Sequence, residues 1–213
     1  YQKALSIAEQ INNKQIYSNA LNSLGIVNKE LGNYDEAEKY LRIALEEAIN
    51  EANENNQAVI YNNLGIVYDL KNDAQNAIKN YEKALEINKN LRNTIAVAYT
   101  EHNMAIIFTT LEQFNKAREL FKKSLQTAIE QNDVVAQAYN LYYLATLDFN
   151  ENSTNEALNT STKSLDIASK NKLYKATYLN FKLLSQIHKQ KNNKTLALNY
   201  FEKYAQNKGE SFE

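Results

Sequence analysis

Tyr61-Asn62-Asn63-Leu64-Gly65-Ile66-Val67-Tyr68, followed by Ala77-Ile78-Lys79-Asn80-Tyr81-Glu82-Lys83-Ala84-Leu85, is the stretch on which the fold turns. Tyr61, Leu64, Gly65, Val67 and Tyr68 recur at helical spacing, and so do Ala77, Tyr81, Ala84 and Leu85 beyond the polar break Lys71-Asn72-Asp73. Two amphipathic helices joined by so short a turn predict an antiparallel hairpin. Gly65 costs its helix about 1 kcal/mol relative to alanine, a cost that makes sense where another helix must approach the backbone. Ala77 answers from the second helix, since a large residue there would overpack the crossing by about 1–3 kcal/mol.

The hairpin recurs with a step of forty residues. Ala37, Ala77, Ala117, Ala157 and Ala197 mark it, as do Leu24, Leu64, Met104, Leu144 and Leu184, and Leu5, Leu45, Leu85, Leu125 and Leu165. The counterparts of Gly65 are all small: Gly25, Ala105, Ala145 and Ser185. A fixed period of about 20 to 50 residues signals one supersecondary unit stacked on copies of itself, each contacting only its neighbours. The expected fold is therefore all-α, a solenoid of helical hairpins running as one array over residues 1–213. Its parts are a half repeat at 1–13, repeats at 14–53, 54–93, 94–133, 134–173 and 174–207, and a tail at 208–213, giving eleven helices.

Composition narrows the function. The chain has no proline and only four glycines, so helix breakers are nearly absent. A net charge of −1 and a pI near 6.3 supply no basic field for phosphates, so nucleic acid is not an expected partner. Without cysteine there is no disulfide, thiolate metal site or cysteine nucleophile; the cytoplasm is the expected compartment, with the periplasm as the alternative. No run of apolar residues is long enough to span a bilayer, so no membrane insertion is expected. Glycine-rich phosphate loops, a G-x-S-x-G elbow and a His-Glu-x-x-His motif are all missing. The two histidines, His102 and His188, stand on first helices two repeats apart, not at the three- or four-residue spacing of a helical metal pair. Neither an enzyme nor a cofactor or metal site is expected.

Tyr61, Leu64, Gly65, Tyr68, Ala77, Tyr81 and Ala84, with Leu24, Gly25, Tyr34, Ala37, Leu41 and Ala44 before them, resemble the tetratricopeptide repeat (TPR). Members usually repeat every 34 residues; the longer step here is similar to the long-helix variants of kinesin light chains, G-protein-regulator scaffolds and bacterial peptide-sensing regulators. The usual proline after the second helix is missing, consistent with that helix running on. The resemblance weakens toward the C-terminus, where Ser185 and His188 replace small and aromatic residues. It implies a right-handed superhelix whose concave groove is lined by the first helix of every hairpin. Some bacterial relatives dephosphorylate response regulators, and the resemblance places that activity in a helical segment ahead of the repeats, which this chain is expected to lack.

With Leu64 and Gly65 facing the partner helix, Val59, Asn62, Asn63, Ile66 and Asp69 are left for the groove. The same register brings Asn19, Asn22, Ser23, Ile26 and Lys29 from the first repeat and Tyr99, His102, Asn103 and Ile106 from the third. It brings Tyr139, Tyr142, Tyr143 and Thr146 from the fourth, and Leu179, Lys182, Leu183 and Gln186 from the fifth. Amides both donate and accept, so Asn22, Asn62, Asn63 and Asn103 suit the grip of a peptide backbone. The resemblance supports this, since related scaffolds carry a groove asparagine at the positions of Asn63 and Asn103. Tyr99, Tyr139, Tyr142 and Tyr143 are rings with a polar tip, the type favoured as interface anchors, although tyrosine also fills the space between helices. The carboxylate clamp of chaperone-binding relatives fails here, because Ile26, Ile66 and Ile106 stand where its first asparagine would.

These readings converge on a non-enzymatic protein-interaction module that holds an extended or helical peptide segment of a partner. The alternative is a sensory or oligomerising segment of a larger bacterial signalling regulator whose output domain lies elsewhere. Neither end shows a polar cap: Tyr1, Ala4, Leu5, Ile7, Ala8 and Ile11 crowd one, Leu196, Leu198, Tyr200, Phe201 and Tyr204 the other. Either the native chain continues beyond them, which is the favoured expectation, or copies associate end to end, acidic first third against lysine-rich last third.

Overall fold

The structure is a computed structural model that describes residues 13–210. Among the described residues there are ten helices and no strand: Lys14–Glu30 (α1), Tyr34–Asn50 (α2), Glu54–Leu70 (α3), Ala74–Asn90 (α4), Thr94–Thr110 (α5), Phe114–Glu130 (α6), Val134–Asn150 (α7), Thr154–Lys170 (α8), Tyr174–Gln190 (α9) and Lys194–Glu210 (α10). The expected half repeat at 1–13, including Leu5, falls almost wholly outside the described residues. Every helix has 17 residues. First and second helices of each hairpin are equal in length.

The even division has a local cause. The middle residue of each three-residue break has positive φ: Gly32 at 79°, then Ala52, Asn72, Arg92, Glu112, Asn132, Asn152, Lys172 and Asn192 between 49° and 61°. That left-handed residue sends the next amide back to the last helical turn, as in Asn33 N–H to the Asn28 carbonyl at 2.9 Å and Asp73 N–H to the Tyr68 carbonyl at 2.8 Å. The residue that carries this amide holds the cap position of the helix that follows. Asn13, Asn53, Asp73, Asn93, Asp133 and Asn193 each accept an amide three residues on through the side-chain oxygen, at 2.9–3.3 Å. Four of the nine left-handed positions are asparagine, which tolerates that region; Ala52, Arg92, Glu112 and Lys172 hold it against their own preference.

The chain divides into two compact units, one ending at Ile107 and one beginning at Phe108, so the division falls within α5. In the first, α1 pairs with α2, α2 packs on α3, and α3 pairs with α4. Leu21, Leu41, Ile60, Leu64, Val67, Tyr81 and Ile107 form its buried interior. The close approach anticipated at the glycines is real. A methyl added at Gly25 would lie 2.6 Å from Leu41 Cγ, and one at Gly65 would overlap the Tyr81 ring. The residue that meets each glycine is thus Leu41 or Tyr81, four beyond the alanine; Ala37 contributes its carbonyl oxygen at 3.3 Å.

A charged junction ties α2 to α3. Glu38 accepts from Arg42 Nε at 2.8 Å, the Tyr68 hydroxyl at 2.6 Å and Lys71 Nζ at 2.7 Å, and Lys71 also reaches Asp35 at 2.8 Å. Burial alone would raise the Glu38 pKa, but the hydrogen bonds from Lys71, Tyr68 and Arg42 outweigh it and hold the group at about 2.

In the second unit, α6 packs on α7, α7 pairs with α8, α8 packs on α9 and α9 pairs with α10. Ala145, Ala157, Leu183, Leu184 and Ile187 form one core cluster, with Tyr142, Leu158 and Tyr200 against it; Ala138, Ala168 and Ala176 form another, flanked by Tyr139. Asn180 enters this interior with its hydrogen bonds made, whereas the buried His188 Nδ1 has no partner. Asn180 accepts from Ser161 Oγ at 2.9 Å and donates to Ser164 Oγ at 2.8 Å and the Ala176 carbonyl at 2.9 Å, while Ser164 donates to the Ala138 carbonyl at 2.7 Å. The Arg118 guanidinium bonds Asp148 at 2.6 Å and also Glu151. These residues stand eighty positions beyond Glu38, Tyr68 and Lys71, so the bridge between hairpins recurs with its sign reversed.

The C-terminal irregularities take definite roles. Ser185 Oγ donates to the Ala197 carbonyl at 2.8 Å, and the buried His188 ring lies flat on Tyr200, centroids 5.5 Å apart. Of the five apolar residues expected to crowd this end, Leu196, Leu198 and Phe201 are exposed on α10, whereas Tyr200 packs on His188 and Tyr204 on Tyr178. The matching N-terminal residues lie outside the described residues.

Three outcomes follow for unfolding experiments. Gly65→Ala lowers stability by about 1–3 kcal/mol in spite of alanine's better helix propensity, because its methyl meets a fully buried ring. Arg92→Gly raises stability by about 0.5–1 kcal/mol by relieving a left-handed arginine, both read as shifts of the urea midpoint. The folded pKa of Glu38 lies below its unfolded value of 4.5, so its contribution is present above pH 4.5 and is lost as pH falls toward 2. Glu38→Gln removes about 1–2 kcal/mol of that acid-side pH dependence, after allowing for solvent screening.

Candidate functional site

In the first unit the first helices α1, α3 and α5 turn one row of side chains outward. Asn19, Val59 and Tyr99 stand exposed in matching positions, Val59 at 51% and Tyr99 at 48%. Three and four residues on, Asn22, Asn62, Asn63, His102 and Asn103 are half-buried, as are Ile26, Ile66 and Ile106 one turn further. The expected face is therefore accessible over this unit.

Its asparagines are joined. Asn63 Nδ2 donates to Asn22 Oδ1 at 2.9 Å, and Asn103 Nδ2 donates to Asn62 Oδ1 at 3.3 Å. Each bond links neighbouring first helices, and the second repeats the first one repeat later. A primary amide carries two donors and two acceptor sites, so every pair retains an unused N–H donor on one partner and carbonyl capacity on the other, whichever way the amides are turned. Beside the ladder, Val59, Asn62, Ala96 and Tyr99 line a recess of about 230 Å³ whose remaining walls are Asn55, Ala58, Asn88, Asn93 and Thr100. No charged side chain lines it. Further along the row, Lys29 pairs with Glu30 at 2.7 Å, and burial raises the pKa of the half-buried Asp69 carboxyl.

In the second unit the same register is occupied by rings. Tyr139, Tyr142 and Tyr143 are half-buried, and burial raises the hydroxyl pKa of Tyr139 and Tyr142. Tyr143 stacks on Phe121 with centroids 5.1 Å apart and planes within 8°, and meets Tyr142 edge-on at 5.1 Å. Tyr139 and Tyr142 lie against the two core clusters, so part of each ring fills space between helices. Leu183, expected in the groove, is instead 4% exposed within the core cluster that Tyr142 covers; Lys182 and Gln186 are exposed and Leu179 is half-buried. The forty-residue register equates Leu183 with Asn63, but an aliphatic side chain there turns inward where an amide stays at the surface.

The bond between successive asparagines joins residues 41 apart, and reading one repeat at a time conceals it. The adjacent pair Asn62-Asn63, between Asn22 and Asn103, is the signal that could have revealed it. The recess was missed because its walls come from three helices. Among the described residues no group of three His, Cys, Asp or Glu could hold a metal, and no helix is long and apolar enough to cross a membrane.

Hairpins stacked in series define a helical-repeat scaffold. A tetratricopeptide repeat model matches residues 17–90, and the helix pairs packed in series have the fold of TPR-like helical solenoids. The crystal structure of BtubC (BKLC) from P. vanneervenii is similar with a TM-score of 0.83 at 18% identity, over 99% of this chain and 89% of that one. Aspartyl phosphate phosphatase F from Bacillus subtilis gives 0.82 at 15% identity, over 98% of this chain and 55% of its own. A Rap protein complexed with competence and sporulation factor gives 0.80 at 14%, over 92% and 54%. No curated protein sequence matches the chain.

Replacing both members of one amide pair tests whether the ladder is needed for folding. Asn63→Ala is expected to cost about 1 kcal/mol, and Asn22→Leu/Asn63→Leu less than that, because removing both partners leaves no polar group stranded. Equilibrium unfolding of the two variants measures the difference.

Proposed function

We propose that the chain is a non-enzymatic protein-interaction module that holds a peptide segment of a partner protein on its first-helix faces. The observation that carries this reading is the Asn22–Asn63 and Asn62–Asn103 ladder, whose amides are bonded to each other yet keep donor and acceptor capacity toward solvent. A solvated polar face needs no such order, whereas a peptide backbone offers alternating donors and acceptors that match it. Val59 and Tyr99 add exposed apolar area next to it, the combination typical of a binding hot spot. The structurally similar Rap protein is complexed with a competence and sporulation factor, which supports a ligand-binding role for such repeats. In the second unit the exposed edges of Tyr139, Tyr142 and Tyr143 are the contacts we assign to the partner.

A second reading is favoured by the exposed Leu196, Leu198 and Phe201 of α10 and by the likeness to the Rap protein and the Bacillus subtilis phosphatase, of whose chains only 54% and 55% are matched. In it the chain is a sensory or oligomerising segment of a larger signalling protein, α10 being the surface that meets the next element or a second copy. The phosphatase among the similar structures does not bring its chemistry to this chain, because a likeness at 15% identity concerns the fold.

Capture of partners from the source organism, followed by hydrogen exchange on both chains, tests the two readings. Protection centred on Asn63, Tyr99 and Asn103 supports the binding face; protection confined to α10 supports the assembly segment. For a captured partner, Asn103→Ala and Tyr99→Ala each weaken binding about tenfold, about 1.4 kcal/mol, measured at a temperature where both variants stay folded.

A further inference from the structure

The amide ladder and the recess beside it specify the conformation of the segment they hold. This step rests on the binding-face reading above. The two amide pairs are related by one repeat: Asn22 becomes Asn62, and Asn63 becomes Asn103. Packed helices lie about 8–10 Å apart, so equivalent groups of successive first helices recur at about that interval. A ligand whose backbone is to present the same donor and acceptor to each pair must repeat itself over the same distance.

Three regular conformations can be compared on that measure. An α-helix spends its amides and carbonyls on itself and has none left along its flank for the ladder. A β-strand advances about 3.3 Å per residue with a period of two, so two residues fall short of the interval, and three reverse the face presented. A polyproline II segment makes three residues per turn at about 3.1 Å each, a repeat of about 9.3 Å, with every backbone group unbonded and facing outward. Only the last matches both distance and phase.

The recess fixes the side-chain chemistry. It lies between α3 and α5, within reach of the Asn62–Asn103 pair, since Asn62 itself forms part of its wall. Its lining holds aliphatic groups, a tyrosine ring, amides and a threonine, without a charge to pair an incoming lysine, arginine, aspartate or glutamate. A charged side chain entering it would lose its water and meet no opposite charge. An aliphatic one would bury area against Val59, Ala96 and Tyr99.

We propose that the first-helix face of the first unit binds a partner segment in the polyproline II conformation, one turn per amide pair, with an uncharged apolar side chain every third residue. Each pair donates to a backbone carbonyl and accepts a backbone N–H of one turn, and the recess takes one of the recurring side chains. The partner is therefore an extended, low-charge segment rather than an amphipathic helix or an acidic tail.

The probe is a displayed library of random peptides about twelve residues long, about four polyproline turns, selected on the immobilised 213-residue chain. Enriched peptides are then remeasured on the Asn62→Leu/Asn63→Leu variant, with circular dichroism confirming that the variant stays folded. The expected result is enrichment of aliphatic residues at positions i, i+3 and i+6, with at least about a tenfold loss of affinity on the variant. Enriched peptides that depend on the asparagines but follow an i, i+2 or an i, i+3, i+4, i+7 pattern would overturn the polyproline assignment and leave the binding face standing. Peptides indifferent to the variant, or no enrichment at all, would sink both.

Discussion

One left-handed residue every twenty positions sets the scale of the whole molecule. It ends each helix at the same length, bonds the following amide to the turn just completed, and places the next residue where its side chain can cap the helix to come. With helix length held constant, the glycine of α1 and that of α3 meet the same level of their partner helices. Gly25 against Leu41 and Gly65 against Tyr81 are two instances of one crossing. Regular crossings keep successive first helices in step, and only then can side chains one repeat apart pair with one another. The asparagine ladder is a distant consequence of a backbone dihedral.

The contacts between neighbouring hairpins are held by geometry more than by residue identity. Glu38 with Lys71 and Arg118 with Glu151 occupy equivalent positions with opposite charges, and both bridge a second helix to the first helix that follows. The ladder positions behave similarly. Asn62 bonds to Asn103, whereas Tyr142 stands at the matching place and packs on the cluster that contains Leu183. Each repeat needs some complementary pair at these points, and an ion pair, an amide pair or an apolar contact can supply it. The face is therefore polar and hydrogen-bonding in the first unit and aromatic in the second, on one repeated frame.

Much of this was legible beforehand. Ala37, Ala77, Ala117 and Ala157 are fully buried, as their spacing required, and Leu24, Leu64, Met104, Leu144 and Leu184 are buried behind them. The outward row could be read from one hairpin and carried along, because helical periodicity fixes which residues are left when the packing faces are assigned. That transfer failed at Leu183, since it takes no account of side-chain chemistry. The polar interior around Asn180 was hidden for a related reason: Ser161, Ser164 and Asn180 count as hydrophilic one at a time and become buried only because they satisfy one another.

The sequence by itself determined the hairpin, its period, the helical class and the row of residues turned away from the packing faces, because all of these follow from the positions of apolar and small residues along one chain. Only the tertiary structure decided that the asparagines bond to each other 41 residues apart, that Glu38 gathers three donors, that Leu183 turns inward, and that Val59 and Tyr99 share a recess. Those are meetings between side chains on different helices, set by distances and orientations that appear only once the helices are packed.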